Sequence, residues 1–393
     1  MTYEFDELTE RRGTHCVKWD KSPDPDVIPL WVADMDFAVA PAIQEAVRRR
    51  AEHPVFGYTV VEDDYYDAVI SWFKRRHHWT IAREHILYTT GVVPAVSCAI
   101  KALTMPGERV LILSPDYNCF FSSIRNNGCE VEESVLRRGR DNRFEVDWED
   151  FEARCADEKT TVFLLCNPHN PTGRVWAREE LRRMSDICHR HEVRVVSDEI
   201  HCELIMPGHT FCPMGTVDET AVVLGSPSKS FNTAGLQMAN IVCPDDATRR
   251  RINRAININE VCDVNPFGPA AAIAAYNECE AWIDELNRYL WENYQALRAF
   301  AERELGGWRV MPLEGTYLVW VDVSACCDSV ADYCDRILRE AKVWVNPGTM
   351  YGPLSGEGYL RVNIACPRAL LMEALGRIEK LRIGKKNHHE TEK

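Results

Sequence analysis

Two hydrophobic periods alternate along most of the chain, and their order predicts its architecture. From residue 86 onward, short apolar runs rich in β-branched residues recur: Ile86-Leu87-Tyr88, Val110-Leu111-Ile112-Leu113, Val162-Phe163-Leu164-Leu165, Val193-Arg194-Val195-Val196, Val222-Val223-Leu224 and Ile241-Val242. Runs of this kind read as strands buried on both faces. Between most of them lie segments with helical spacing, among them 92–103, 117–126 and 178–190. The alternation predicts an α/β fold, a mainly parallel sheet covered by helices, with ligands binding where the strands' carboxyl ends open into loops.

The flanking regions read differently. Residues up to about 40 are rich in Asp and Pro and predict mostly irregular chain, with Pro29–Phe37 as a strand-like edge pinned by Trp31 and Phe37. Pro41 suits a first helical position, with Ile43, Ala46 and Val47 on one face; a second helix fits 64–76. The aromatic-glycine turn Val55-Phe56-Gly57-Tyr58 lies between them. After Pro269 a long helical stretch covers roughly 268–304. Strands near 315–322 and 359–364 then alternate with helices near 329–341 and 367–382, predicting a smaller α+β part. The expected division is a small domain from 1–45 and 280–393 around a large domain over 46–279. The tail from Lys385 to Lys393 reads as a frayed end.

Composition narrows the function classes. A net charge of −14 over 393 residues argues against nucleic acid or an anionic membrane as the main partner. No apolar run approaches the ~18 residues of a membrane span, and the acidic start is unlike a secretion signal. The 16 cysteines include no Cys-x-x-Cys pair and mostly stand singly in apolar runs, as buried thiols in a reducing cytosol would; no metal site is expected.

The chemistry-bearing residues fall at the predicted strand ends. Ser226-Pro227-Ser228-Lys229-Ser230-Phe231-Asn232 follows a buried strand and places a lysine among hydroxyls. Alone it favours a solvated turn; chemically it suits a lysine joined to pyridoxal phosphate as a Schiff base, with Ser226 and Ser228 on the phosphate. Gly91-Val92-Val93-Pro94 opens a helix whose free N–H groups make an anion seat. Ser114-Pro115-Asp116-Tyr117 puts an aromatic at the sheet edge, either core packing or a surface for a flat ring. Asn167-Pro168-His169-Asn170-Pro171-Thr172-Gly173 presents amides, and ordinary turns rarely need two Asn-Pro pairs. Ser197-Asp198-Glu199-Ile200-His201 ends a buried strand in a carboxylate; a helix cap or a partner for a pyridinium nitrogen both suit Asp198. Arg361, inside a later strand, suits an α-carboxylate or a surface acid. Two X-Pro bonds, Ser114–Pro115 and Asn170–Pro171, are expected to be cis.

In this order the motifs resemble the fold-type I enzymes that use pyridoxal phosphate (PLP), and within them the MalY/PatB-type cysteine C–S lyases, from about residue 20 to about 382. The resemblance implies a seven-stranded, mainly parallel sheet and a cytoplasmic homodimer acting on a small amino-acid substrate. It implies that Lys229 carries the cofactor and acts as the base, that Asp198 pairs the pyridine nitrogen, that Asn170 bonds the ring hydroxyl and that Tyr117 stacks on the ring. Val92, Val93, Ser226 and Ser228 would hold the phosphate, Arg361 the substrate carboxylate, and backbone near Ala33 of Trp31-Val32-Ala33-Asp34-Met35-Asp36-Phe37 would lie by the substrate. Tyr58 would reach the phosphate in the neighbouring subunit. His201 stands where many relatives place a tyrosine, and Gln237 where many transaminases place an arginine. The implied reaction is β-elimination from L-cystathionine or related cysteine S-conjugates. The alternatives are transamination on the same scaffold and, from another class, a regulator acting by protein contact.

Overall fold

The computed structural model describes residues 3–381. Its centre is a seven-stranded sheet built from β1 (Ile86–Thr89), β2 (Arg109–Ser114), β3 (Glu130–Val135), β4 (Thr160–Cys166), β5 (Arg194–Asp198), β6 (Val222–Gly225) and β7 (Ala239–Val242). Spatial order is β1-β7-β6-β5-β4-β2-β3, and only β7 runs antiparallel to its neighbours. Interior strands β4 and β6 are almost wholly buried, which is why they read as continuous apolar runs. Six of the seven carried that signal. The seventh, β3, reads Glu-Val-Glu-Glu-Ser-Val and lies at the sheet edge, where only alternate side chains are buried, so its hydrophobicity is too weak to announce it.

A second sheet contains β8 (Arg309–Val310), β9 (Leu318–Asp322), β10 (Asn346–Pro347) and β11 (Tyr359–Asn363), in the antiparallel order β8-β9-β11-β10. The N-terminal segment joins this part: Ile28–Pro29 pairs in parallel with Val343–Trp344, and Trp31 stacks on Trp344 at 4.5 Å.

Two expectations need correction. The stretch from 268 to 304 is not one helix but two, Phe267–Glu278 and Glu280–Glu304, separated at Cys279. No Gly or Pro marks the break. The first helix packs its alanines against Pro41–Glu52 and Asp63–His77, and that packing sets its direction. Nor is Pro29–Phe37 a strand: only Ile28–Pro29 is extended and paired, and the rest is an irregular ribbon. The tail from Lys385 lies outside the described residues.

Ten of the sixteen cysteines are buried. No helix among the described residues is long and apolar enough to cross a membrane. His77, Cys202 and Glu203 bring their donor atoms within 4.8 Å of one another. Glu203 already accepts from Trp72 Nε1 at 2.7 Å and lies 3.7 Å from the Arg76 guanidinium, so protein cations and donors balance its charge.

Candidate active site

A cavity of about 270 Å³ opens at the carboxyl ends of the central strands. Ala33, Val92, Val93, Tyr117, Asn170, Asp198, His201, Ser228, Lys229 and Gln237 line it. β1 leads through Gly91 into the helix Val92–Leu103. The first side-chain-free N–H groups of that helix, on Val92 and Val93, have no acceptor within their own turn. At Gly91 an added Cβ would come no nearer than 3.5 Å to Pro94, so the glycine is not forced by crowding there. β2 ends in Ser114 and turns through Pro115 to deliver Tyr117. β4 runs into Asn167–Gly173 and delivers Asn170, β5 delivers Asp198, and β6 delivers Lys229 on the short helix Pro227–Ser230. The Ser114–Pro115 and Asn170–Pro171 bonds are both cis, as is Asn167–Pro168.

The charges are buried together. Burial pushes the Asp198 carboxyl up to about 7, and Asp116 adds repulsion, against a bond from the Ile200 N–H and the attraction of Lys229. Burial likewise pulls the Lys229 ammonium down to about 8, and the Arg361 guanidinium works in the same direction. His201 is held neutral, far below its usual range, by burial and then by the cations of Lys229 and Arg361. Its Nδ1 is buried and has no protein partner. The Tyr117 hydroxyl is pushed well up by burial and by neighbouring Cys119 and Asp198. Among the described residues, then, a lysine able to lose its proton near neutral pH faces an acid that burial alone cannot keep ionised.

Arg361 lies behind this group, 3% exposed. Its Nη1 donates to Asn170 Oδ1 at 3.1 Å and its Nη2 to the Trp31 carbonyl at 2.9 Å; Nε has no partner, and the guanidinium stands 4.7 Å from the Tyr351 ring. The Ala33 carbonyl accepts from Lys229 Nζ and from the Tyr317 hydroxyl at 2.9 Å.

Besides Arg361, which stands behind the lining, two expected residues are not brought into the cavity. The Ser226 hydroxyl donates to the Met238 carbonyl at 2.6 Å and accepts from the Ser228 N–H at 3.0 Å, so it caps the short helix instead of facing the cavity. Its one proton is committed to the chain. Tyr58, 99% exposed on the segment between the helices Pro41–Glu52 and Asp63–His77, lies off this chain's cavity. Sequence reading also missed residues that hold the site. Asn232 donates to the carbonyls of Met35 (3.1 Å) and Phe37 (3.0 Å) and accepts from the Met35 N–H (3.0 Å). Asn363 donates to the carbonyls of Val32 (2.6 Å) and Asp34 (2.7 Å). Only the left-handed φ of Asn232, +56°, belongs to a residue type that hints at a special turn.

The model for aminotransferases of class I and II matches residues 25–378. The chain belongs to this family. It is 40% identical over 383 residues to the cystathionine beta-lyase PatB of Bacillus subtilis, covering 95% of this chain and 98% of that one. It is 34% identical to the protein MalY of Escherichia coli, over 94% and 96% of the two chains. The structure of cystalysin from Treponema denticola, which contains pyridoxal 5′-phosphate, superposes with a TM-score of 0.93 at 31% identity, over 97% and 98% of the chains. The PLP-bound C–S lyase from Staphylococcus hominis does so with 0.90 at 30% identity, over 96% and 98%.

The residues present fit that cofactor on their own chemistry. An acid that burial has pushed up to about 7 would accept a buried cationic N–H, His201 of the cavity lining has a buried Nδ1 without a protein partner, and the helix end at Val92 offers unspent N–H groups for an anion.

Proposed function

We propose that the chain is a PLP-dependent carbon–sulfur lyase that converts L-cystathionine or related cysteine S-conjugates, with one water, into a thiol, pyruvate and ammonia. The observation that carries the reading is one cavity joining Lys229, Asp198 and Asn170 with Arg361 directly behind Asn170. Full-length likeness to lyases selects elimination within the family.

Bound pyridoxal phosphate supplies an electron sink for the charge left at the substrate Cα. Asp198 holds a proton on the pyridine nitrogen, and that positive partner in turn keeps the buried carboxylate ionised. Asn170 donates to the ring hydroxyl while its Oδ1 accepts from Arg361, so one amide orients both cofactor and carboxylate clamp. Tyr117, in the cavity lining, would offer its face to the ring. Val92 and Val93 N–H groups and the Ser228 hydroxyl hold the phosphate. Arg361, with Nε free and its other nitrogens already aimed, binds the α-carboxylate. Lys229, its ammonium pulled down by burial, takes the Cα proton; the Ala33 carbonyl receives its Nζ whenever the amine is free. His201 stays neutral beside the ring.

The working form is a cytoplasmic homodimer in which Tyr58 contributes its hydroxyl to the partner's phosphate seat. Its near-complete exposure, with Val55, Phe56 and Val60 exposed beside it, supports this. The division into a small domain (1–45 and 280–393) and a large one (46–279) belongs to the same proposal.

The deciding experiment incubates the purified holoenzyme with L-cystathionine and no oxo acid. Stoichiometric pyruvate and thiol are expected. Turnover that requires an added oxo acid would instead make the chain a transaminase.

A further inference from the structure

β2 and β4 do not stay paired to their ends. Among the described residues their ladder runs only as far as Leu111 opposite Phe163, although β2 continues to Ser114 and β4 to Cys166. On their other sides both strands are held further: β2 pairs with β3 up to Ser114, and β4 with β5 up to Cys166. The sheet is therefore split just before the turns that deliver Tyr117 and Asn170. The His169 side chain crosses that split. It is wholly buried and stands edge-on to Trp176 at 5.6 Å. Its Nε2 lies 3.1 Å from the Leu113 carbonyl and its Nδ1 2.7 Å from the Thr172 hydroxyl. A carbonyl only accepts, so Nε2 carries the proton of that bond. The loop around His169 is itself fixed: its N–H donates to the Arg174 carbonyl at 2.7 Å, and its carbonyl accepts from the Gly173 N–H at 2.8 Å. Across the split, Asp116 Oδ1 lies 3.8 Å from Nε2 and accepts from the Tyr117 N–H at 2.7 Å.

We propose that His169 is a positioning residue for the cofactor site: the bond from its Nε2 to the Leu113 carbonyl sets how far apart the Tyr117 turn and the Asn170 loop stand. Among the described residues that line the cavity are Tyr117 and Asn170 but not His169, so it acts through them. A stacking face and a hydroxyl donor must meet one rigid ring at the same time, and their mutual spacing matters more than either position alone. An imidazole suits the task because it is a rigid plane with a nitrogen at each edge. One nitrogen holds its own loop through Thr172, and the other reaches the neighbouring strand. Asn170 passes the constraint on, since its Oδ1 accepts from Arg361 Nη1. The inference rests on the reading of Tyr117 and Asn170 as contacts of pyridoxal phosphate.

The test separates the two ring nitrogens. His169→Gln carries an amide N–H to the place of Nε2 and keeps the bond to Leu113. His169→Asn carries its amide to the place of Nδ1, keeps a partner for Thr172 and leaves the split unbridged. The apo form of each is titrated with pyridoxal phosphate and with its 3-deoxy analogue, which lacks the ring hydroxyl that Asn170 would bond. The wild-type preference for the hydroxylated compound should fall by about 3–10-fold in His169→Asn, as for one lost hydrogen bond, and stay within about twofold in His169→Gln. Asn170→Ala, the reference, should lower the same preference. A residue that only fills the core would lower the unfolding midpoint of both His169 variants and leave the preference alone. An unchanged preference in His169→Asn, or equal losses in the two variants, therefore overturns the proposal. A preference lost in Asn170→Ala but intact in His169→Asn overturns this inference alone; one intact in Asn170→Ala overturns the cofactor role of Asn170 and the inference with it. Should His169→Asn fail to fold, nitrogen-15 NMR of histidine-labelled wild type decides, the resonance being assigned by its disappearance in His169→Gln. A slowly exchanging proton on Nε2 is expected, and a ring whose only proton sits on Nδ1 overturns the proposal.

Discussion

The strand ends and the ribbon Leu30–Phe37 both reach the cavity, but they are held by different forces. Asp198 and Lys229 leave strands whose backbones are locked into a parallel ladder and whose side chains are buried on both faces. The ribbon has no ladder. Its carbonyls are met by distant side chains: Asn346 and Arg361 at Trp31, Asn363 at Val32 and Asp34, Asn232 at Met35 and Phe37. Beneath it the Asp36 carboxylate accepts from Lys18, Arg11 and Trp19, each at 2.7 Å, and the Lys18–Asp36 pair is fully buried. A sheet positions a residue through repeated local geometry, whereas the ribbon is positioned by a few side chains that each hold several bonds. Single substitutions should therefore affect the two regions in different ways.

At the strand ends, chemistry should fail while the fold survives. Lys229→Ala should lower turnover by at least 10⁴-fold, about 5.5 kcal/mol, because Cα proton transfer and cofactor attachment go together. Unfolding midpoints should stay near wild type. Appreciable pyruvate production by the variant would remove Lys229 from its role.

In the ribbon the reverse is expected. Lys18→Met leaves Asp36 buried with its strongest partner gone, and breaking such a pair costs about 3–5 kcal/mol. Denaturant unfolding should show that loss, with the cofactor's absorbance retained in whatever fraction stays folded. A loss under about 1 kcal/mol would mean the ribbon does not depend on the pair.

Asp198→Asn should sharpen the contrast from the other side. A neutral amide cannot retain the pyridinium proton, so the rate should fall by about 10–100-fold, roughly 1.4–2.7 kcal/mol. Its pH profile should lose the wild-type apo limb: the free enzyme's carboxyl, at about 7, takes a proton as pH falls, weakening cofactor capture below neutrality. Titrating apo wild type and variant with pyridoxal phosphate between pH 6 and 8 checks this, and identical pH dependence would contradict it.

The smallest effect falls where the two regions touch. Tyr317→Phe removes one of two donors to the Ala33 carbonyl, a bond worth about 0.5–1.5 kcal/mol, so turnover should fall by roughly 2–10-fold with little change in substrate KM. A change confined to KM would place Tyr317 with the carboxylate clamp instead.

Residue order by itself determined the doubly covered parallel sheet, because burial on both faces demands continuous apolar strands and leaves a readable run. It also determined the composition of the strand-end turns, since Asp198, Asn170 and Lys229 each follow such a run directly. Tertiary structure alone decided what those runs could not encode. β3 became a strand because β2 offered a free edge, although Glu130–Val135 is largely polar. The helical stretch broke at Cys279 because its two halves pack on different partners. Ser226 turned to the Met238 carbonyl, so a hydroxyl that looked free to bind an anion became a helix cap. The ribbon's course depends on Asn232 and Asn363, some 200 and 330 residues away in the chain. Contacts at that separation leave no period in the sequence, since a hydrogen bond between one amide and one carbonyl constrains two positions and repeats nowhere.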